Sequence, residues 1–420
     1  MASEMKDPGL RLRGAGRMSS VDAGTAFAHS LARREPLPAC GGSASGGAAA
    51  LTRVLAATIV LLAPCPTPGQ VRTRITGDAC EECRITADRV LTVGDEGSGA
   101  IAELKEVSRA PDGRILVVHF ADFAGVSVFG PTGTFVHRIG GRGGGPGEYQ
   151  FIGNVQVDSV GRIHIWDPGS LRMTVLGRDY RVQETIPFAL PFMHVLFDGG
   201  RYVASGTIRT RELAGYTLHS IDASGQLLKS FSPQGEGYRS DRSDTYRRSI
   251  ALSGSRMLWS ARFTEYVLES FGTDGIPVQV LERVVPWFPA GTNFGAPRGD
   301  PTARPSPGVL DIQIDDKGRI WVLSWVADKN WRRGLKTLPG LYGRATTGTP
   351  MADRWQYWDS VIEVIDPGAG ALIAAGRFDE LFIGLADANH AFAYREDESG
   401  HPFMDLYRLN AATPRSGGAR

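Results

Sequence analysis

A chain of 420 residues, 42% of them hydrophobic, is long enough to bury one large core or two modest ones, which excludes disorder throughout. Its 46 Lys plus Arg and 45 Asp plus Glu leave a formal charge of +1, which removes the electrostatic case for a nucleic-acid or membrane-surface binder. The 53 glycines fall between short apolar runs, as a chain with many tight turns requires, and point to an all-β fold.

Residues 1 to about 50 are rich in Ala, Gly, Ser and Arg without sustained periodicity, and are expected to be disordered. Residues 54–63 then form an apolar run, uncharged and with Thr58 as its one polar residue, between Arg53 and three prolines, Pro64, Pro66 and Pro68. The run is too short for a bilayer, which takes ~20 residues, but has the length and flanks of a signal-peptide hydrophobic segment. A leader spanning 1–70 and export to the periplasm, envelope or medium follow, with no transmembrane segment in the mature chain. The long stretch ahead of the run points to a translation start near Leu51. Leu62-Ala63-Pro64-Cys65 approaches a lipobox, but the proline before Cys65 departs from that pattern and disfavours a lipid anchor. Beyond the leader only Cys80 and Cys83 remain. A redox dithiol would need a helix N-terminus in a βαβ setting and a zinc site would need a second pair, so a short-loop disulfide is the favoured reading.

From Asp112 onward one phrase recurs, in which a small or acidic residue, a glycine and an arginine lead into an apolar strand. It stands at Asp112-Gly113-Arg114, Val160-Gly161-Arg162 and Lys317-Gly318-Arg319, with weaker copies at 199–203, 254–259 and 387–392. Each copy reads as a hairpin turn with an apolar strand before it and others after it. Six units of four antiparallel strands over residues 71–411 predict a six-bladed β-propeller, with 412–420 a disordered tail. The last unit lacks its outer strand, and Arg89–Gly94 has no unit of its own, so an N-terminal strand is expected to close the ring. The fifth unit carries a long insertion, Val326 to Trp358, read as a flap that packs its own aromatics.

The glycine run 140–147 is a poor nucleotide cradle, since Pro146 and a strand follow where a helix would be needed. No P-loop, H-E-x-x-H or G-x-S-x-G string occurs. Gly143-Gly144-Gly145-Pro146-Gly147-Glu148-Tyr149, followed by Asp158-Ser159-Val160-Gly161-Arg162-Ile163-His164-Ile165-Trp166-Asp167, resembles the NHL-type six-bladed β-propellers. It is also similar to exported bacterial six-bladed propellers with a CxxC just after the signal peptide. The resemblance covers about residues 84–190 and 309–325; the third, fourth and sixth units depart from it.

That resemblance implies a monomeric, non-catalytic scaffold for a protein, peptide or glycan. The alternative it carries is a metal-dependent hydrolase or lyase of the gluconolactonase-like kind, with Ca²⁺ on the axis. Counting back seven residues from each turn glycine gives a ring at the channel mouth: Glu106, Asn154, Met193 with His194 beside it, Arg247 and Asp311, the sixth place falling near Leu381 or Phe382. Glu106, Asn154 and Asp311 are oxygen ligands suited to a hard cation. Arg247 argues against a metal, and would instead pair with Glu106 or Asp311.

Overall fold

The computed structural model describes residues 70–412, apart from 95–100, 102, 121, 209, 211, 234–246, 255, 273, 290–292, 298–299, 301 and 340–344. The leader with its 54–63 run, Cys40, Cys65 and the tail from 413 lie outside the described residues.

The turn phrase explains the hairpins. In the second unit Asp158 accepts the amides of Val160 (3.0 Å) and Arg162 (2.9 Å) and takes the Arg162 Nε at 2.8 Å, while Gly161 supplies φ +83°. Asp315 repeats this with Lys317, Arg319 and the Arg319 side chain, and Asp112 with Arg114. The aspartate satisfies the turn amides and the arginine neutralises it, so the hairpin is fixed locally before any blade packs.

Six four-stranded sheets follow in chain order: blade one at 104–140, two at 154–187, three at 194–233, four at 248–283, five at 308–378 and six at 382–411. In each, neighbouring strands pair antiparallel. Strands in the middle of a blade are buried on both faces, as in Ile115–His119 and Gly125–Phe129, and their sequences are accordingly apolar except for His119 and Ser127, whose side chains meet at 3.2 Å. Outer strands such as Val182–Pro187 are mostly exposed. The core is divided among six apolar clusters, each between two neighbouring blades. Leu116, Val118, Val126 and Val128 of blade one thus pack on Val155, Ile163 and Ile165 of blade two.

Blade six contributes Phe382–Asp387, His390–Glu396 and Pro402–Ala411, and its fourth strand is Ile85–Gly94, paired antiparallel along Pro402–Ala411. The ring is closed by the N-terminal strand, as the unpaired segment near Arg89 implied. A strand not foreseen, Val71–Ile75, adds to the outer edge of blade four in parallel with Pro277–Arg283. Between these two strands Cys80 and Cys83 are joined (S–S 2.09 Å) in a loop that crosses the outer rim of blade five. The insertion, 328–357, contains two 3₁₀ turns, Trp331–Gly334 and Met351–Gln356, and a hairpin of Lys336–Pro339 with Ala345–Gly348. Trp331, Tyr357 and Trp358 pack with Trp325 and Leu381 into a seventh apolar cluster, and the Trp358 ring stacks on Phe294 at 4.9 Å.

Candidate binding site at the channel mouth

The innermost strand of every blade starts at one end of the ring. A side chain at its start reaches sideways to the backbone of the next blade. Glu106 Oε1 accepts the Val155 amide (3.2 Å), and Asn154 both accepts from the Val195 N–H (2.9 Å) and donates to the Val195 carbonyl (2.8 Å). Ser249 Oγ accepts the Ile312 amide (3.2 Å), and Asp311 Oδ2 accepts that of Leu385 (2.9 Å). At these four junctions the residue that follows a ring position thus donates its amide to the ring residue of the preceding blade.

This pattern identifies the ring positions: Glu106, Asn154, His194, Ser249, Asp311 and Gly384. Counting from turn glycines lands on three of the six, and in blade three, whose turn from Asp198 to Arg201 is one residue shorter than that from Asp158 to Arg162, it lands on Met193, next to the ring position His194. In blade four the turn position homologous to Gly161 is Arg256, which adopts φ 62°, and its amide returns to the Ser253 carbonyl at 2.9 Å. Gly254 lies two residues earlier, so a count from it lands on Arg247 in place of Ser249. In blade six Leu381 and Phe382 are buried in the core and the ring position is Gly384, whose missing side chain leaves room for the Phe392 ring.

Arg247 nevertheless faces the same mouth. It precedes Ser249 by two residues, one repeat of the pleat, and therefore stands on the same side of the strand nearer the opening. Its guanidinium lies over the Phe263 ring at 4.6 Å and has no hydrogen-bond acceptor among the described residues. The expected pairing with Glu106 or Asp311 is not formed. Asp311 is already satisfied by Leu385, by the Ile312 amide (2.8 Å) and by Ser249 Oγ (3.1 Å). A residue that counting could not find completes the site. Lys105, at a bulge between Leu104 and Glu106, sends its ammonium to the carbonyls of Ile152 and Gly153 (2.7 Å), 4.4 Å from the Phe151 ring.

These groups feel one another. Burial within the ring pushes the Glu106 carboxyl up to about 7 against the pull of Lys105, with Asp311 adding to the rise. Burial lifts Asp311 to about 6 and brings Lys105 down to about 8. His194 falls to about 4, through burial and then through the charges of Lys105 and Arg247, so its imidazole is neutral at pH 7. Arg247 is lowered by the protein walls around it and held up by Asp311, while channel water at its exposed side chain screens the effect.

A divalent cation does not fit this donor set. Both polar atoms of Asn154 are occupied by Val195, Asp311 accepts three hydrogen bonds, and two cationic side chains share the mouth with Glu106. Among the described residues no three His, Cys, Asp or Glu side chains group as metal ligands. The glycine run 140–147 connects blades one and two and is folded around a cation: the Gly144 and Gly145 carbonyls both accept from Arg172 at 3.0 Å. Its carbonyls point inward, the opposite of what a phosphate would require. No helix among the described residues is long and apolar enough to cross a membrane.

A family model described as a 6-bladed beta-propeller, DUF5128, matches residues 98–224. Among solved structures, a Bacteroides fragilis protein classed by its name as exported is similar over 81% of this chain and 99% of its own, at 11% identity and a TM-score of 0.53. A member of the DUF4221 family from Bacteroides vulgatus is similar over 79% of this chain and 100% of its own, at 8% identity and a TM-score of 0.54. Virginiamycin B lyase from Staphylococcus aureus is similar over 77% and 99%, at 9% identity and a TM-score of 0.41, too slight a likeness to bear on activity. No curated protein matches. At these identities the likeness speaks for the fold, and with the six sheets and their closure it identifies the chain as a six-bladed β-propeller.

Proposed function

We propose that the protein is an exported, non-catalytic binding propeller of NHL-like kind, with residues 1–70 as its leader, that presents its channel mouth to a protein, peptide or glycan. The observation that carries this reading is the convergence of Lys105, Glu106, His194, Arg247 and Asp311, from four different blades, on one mouth. Clusters of titratable groups perturbed by burial and by one another mark ligand sites more often than plain surface. The insertion of blade five belongs to the same face, since Arg354 feels the charge of Glu103 at the entry to blade one. Function here rests on the site, because propellers serve many unrelated roles.

The test is capture from the native envelope fraction by the wild type and by Met193→Arg, which places a bulky charge on the exposed rim residue beside His194. A partner or glycan held by the wild type and lost by the variant supports the reading. Equal capture by both, or turnover of ester, lactone or glycoside panels that the variant abolishes, would replace it.

A further inference from the structure

The mouth holds two kinds of polar group, and they differ in what they lack. Its carboxylates have partners of their own: Asp311 accepts from Leu385, Ile312 and Ser249, and Glu106 accepts from Val155. Lys105 has two carbonyls. Arg247 and His194 have none for their side chains among the described residues, and they come from neighbouring blades whose inner strands lie side by side. A guanidinium offers five N–H donors in a planar fork and a neutral imidazole offers one more. Phe263 covers one face of the Arg247 fork, which leaves its edge free for a planar acceptor.

We infer that the mouth binds a carboxylate, held in bidentate fashion by Arg247 with His194 as a further donor and Lys105 reinforcing the positive side. A carboxylate matches the fork in shape and carries a single charge. A phosphate dianion fits worse, because Asp311 and Glu106 share the same ring and repel the second charge. The rest of the ligand would extend toward Phe263, Phe294 and Trp358, whose rings run from the mouth into the blade-five cluster. The inference rests on the mouth being the binding site, and adds the chemistry that is bound there.

Calorimetry on the full chain tests it with four probes: the tripeptide Gly-Gly-Phe with a free C-terminus, its C-terminal amide, glucuronate and inorganic phosphate. Expected is binding of at least one carboxylate probe, weakened on the order of tenfold or more in Arg247→Gln and less in Arg247→Lys. Thermal melting of both variants should match the wild type, since Arg247 is exposed. Tripeptide binding with loss for the amide identifies a peptide terminus as the source, and glucuronate binding alone identifies a sugar acid. The inference is overturned if the amide binds as tightly as the acid, if phosphate binds more tightly than either carboxylate, if Arg247→Gln binds like the wild type, or if no carboxylate binds by about 10 mM. A partner lost by Met193→Arg in the capture experiment, with every carboxylate probe silent, would leave the mouth as the site and remove only this assignment.

Discussion

The Arg283 guanidinium of blade four meets the Glu363 carboxylate of blade five at 2.8 Å, and the two side chains are 2% and 3% exposed. Arg283 also donates to the Gly77 carbonyl at 2.7 Å, and Tyr266 donates its hydroxyl to Glu363 at 2.6 Å. One buried pair therefore ties two blades and the N-terminal segment together. Removing one partner leaves the other as an uncompensated charge, so Arg283→Met should lower stability by about 3–5 kcal/mol in urea unfolding. Arg283→Met with Glu363→Leu should recover more than half of that, because no lone charge remains. A single variant within about 1 kcal/mol of wild type would show that the pair is not buried as described.

Asp311→Ala removes the acceptor of the Leu385 and Ile312 amides and loosens blade five from blade six. A cost of about 2 kcal/mol is expected, and a smaller one for Asp311→Asn, whose carbonyl can keep one amide. If Ala and Asn are equally harmless, the side chain does not clamp the blades.

One part of the acid response can be assigned to His219, which acts in the same sense as His194 and is fully buried, with Nε2 3.0 Å from the Gly206 carbonyl and Nδ1 2.8 Å from Ser230 Oγ. Burial lowers it from 6.5 to about 4. Between those values the unfolded chain takes up a proton that the folded one refuses, so its stabilising effect is complete above pH 6.5 and is lost as pH falls toward 4. Glu106, raised from 4.5 to about 7, acts in the opposite sense and contributes stability that is lost as pH rises over that window. Chemical denaturation at pH 7.5 and 4.5 should show the wild type losing up to about 3 kcal/mol more than His219→Gln. Parallel losses in the two proteins would assign the acid sensitivity elsewhere.

Cys80 and Cys83 should resist thiol labelling in the native, unreduced protein. Substituting both with Ser should cost about 2 kcal/mol, the value for so short a loop. Two reactive thiols would point to a reduced pair.

Removing residues 85–94 should leave the Pro402–Ala411 strand with an open edge and give aggregates in size-exclusion chromatography. A monodisperse, equally stable truncation would mean that another segment closes the ring.

The blades could be read from the chain because each turn is written locally: Asp158, Asp315 and Asp112 secure their own hairpins through residues two to four positions away. Closure could be read because Arg89–Gly94 was a strand without a sheet. Val71–Ile75 escaped notice because Arg72 and Arg74 interrupt its apolar character, and only its pairing with blade four makes it a strand. The mouth was half legible. Glu106, Asn154 and Asp311 follow from uniform hairpins, His194 stands one place from its count because the blade-three turn is a residue shorter, and Arg256 takes a left-handed turn position without a glycine and shifts the count in blade four. Lys105 depends on a bulge, which leaves no mark in composition or spacing.

The closing pair of strands, Ile85–Gly94 and Pro402–Ala411, joins residues more than 300 positions apart, as Thr92 to Asp405 illustrates. The sixth blade therefore has no complete sheet until nearly the whole chain has left the ribosome. Its first strand must wait, unpaired, while five other blades form beside it. Such non-local pairing is slow, and it leaves a long interval in which an unpartnered β-edge is exposed. The sheet that holds the finished ring closed is thus the one that makes its synthesis dependent on a protected, late and cooperative final step.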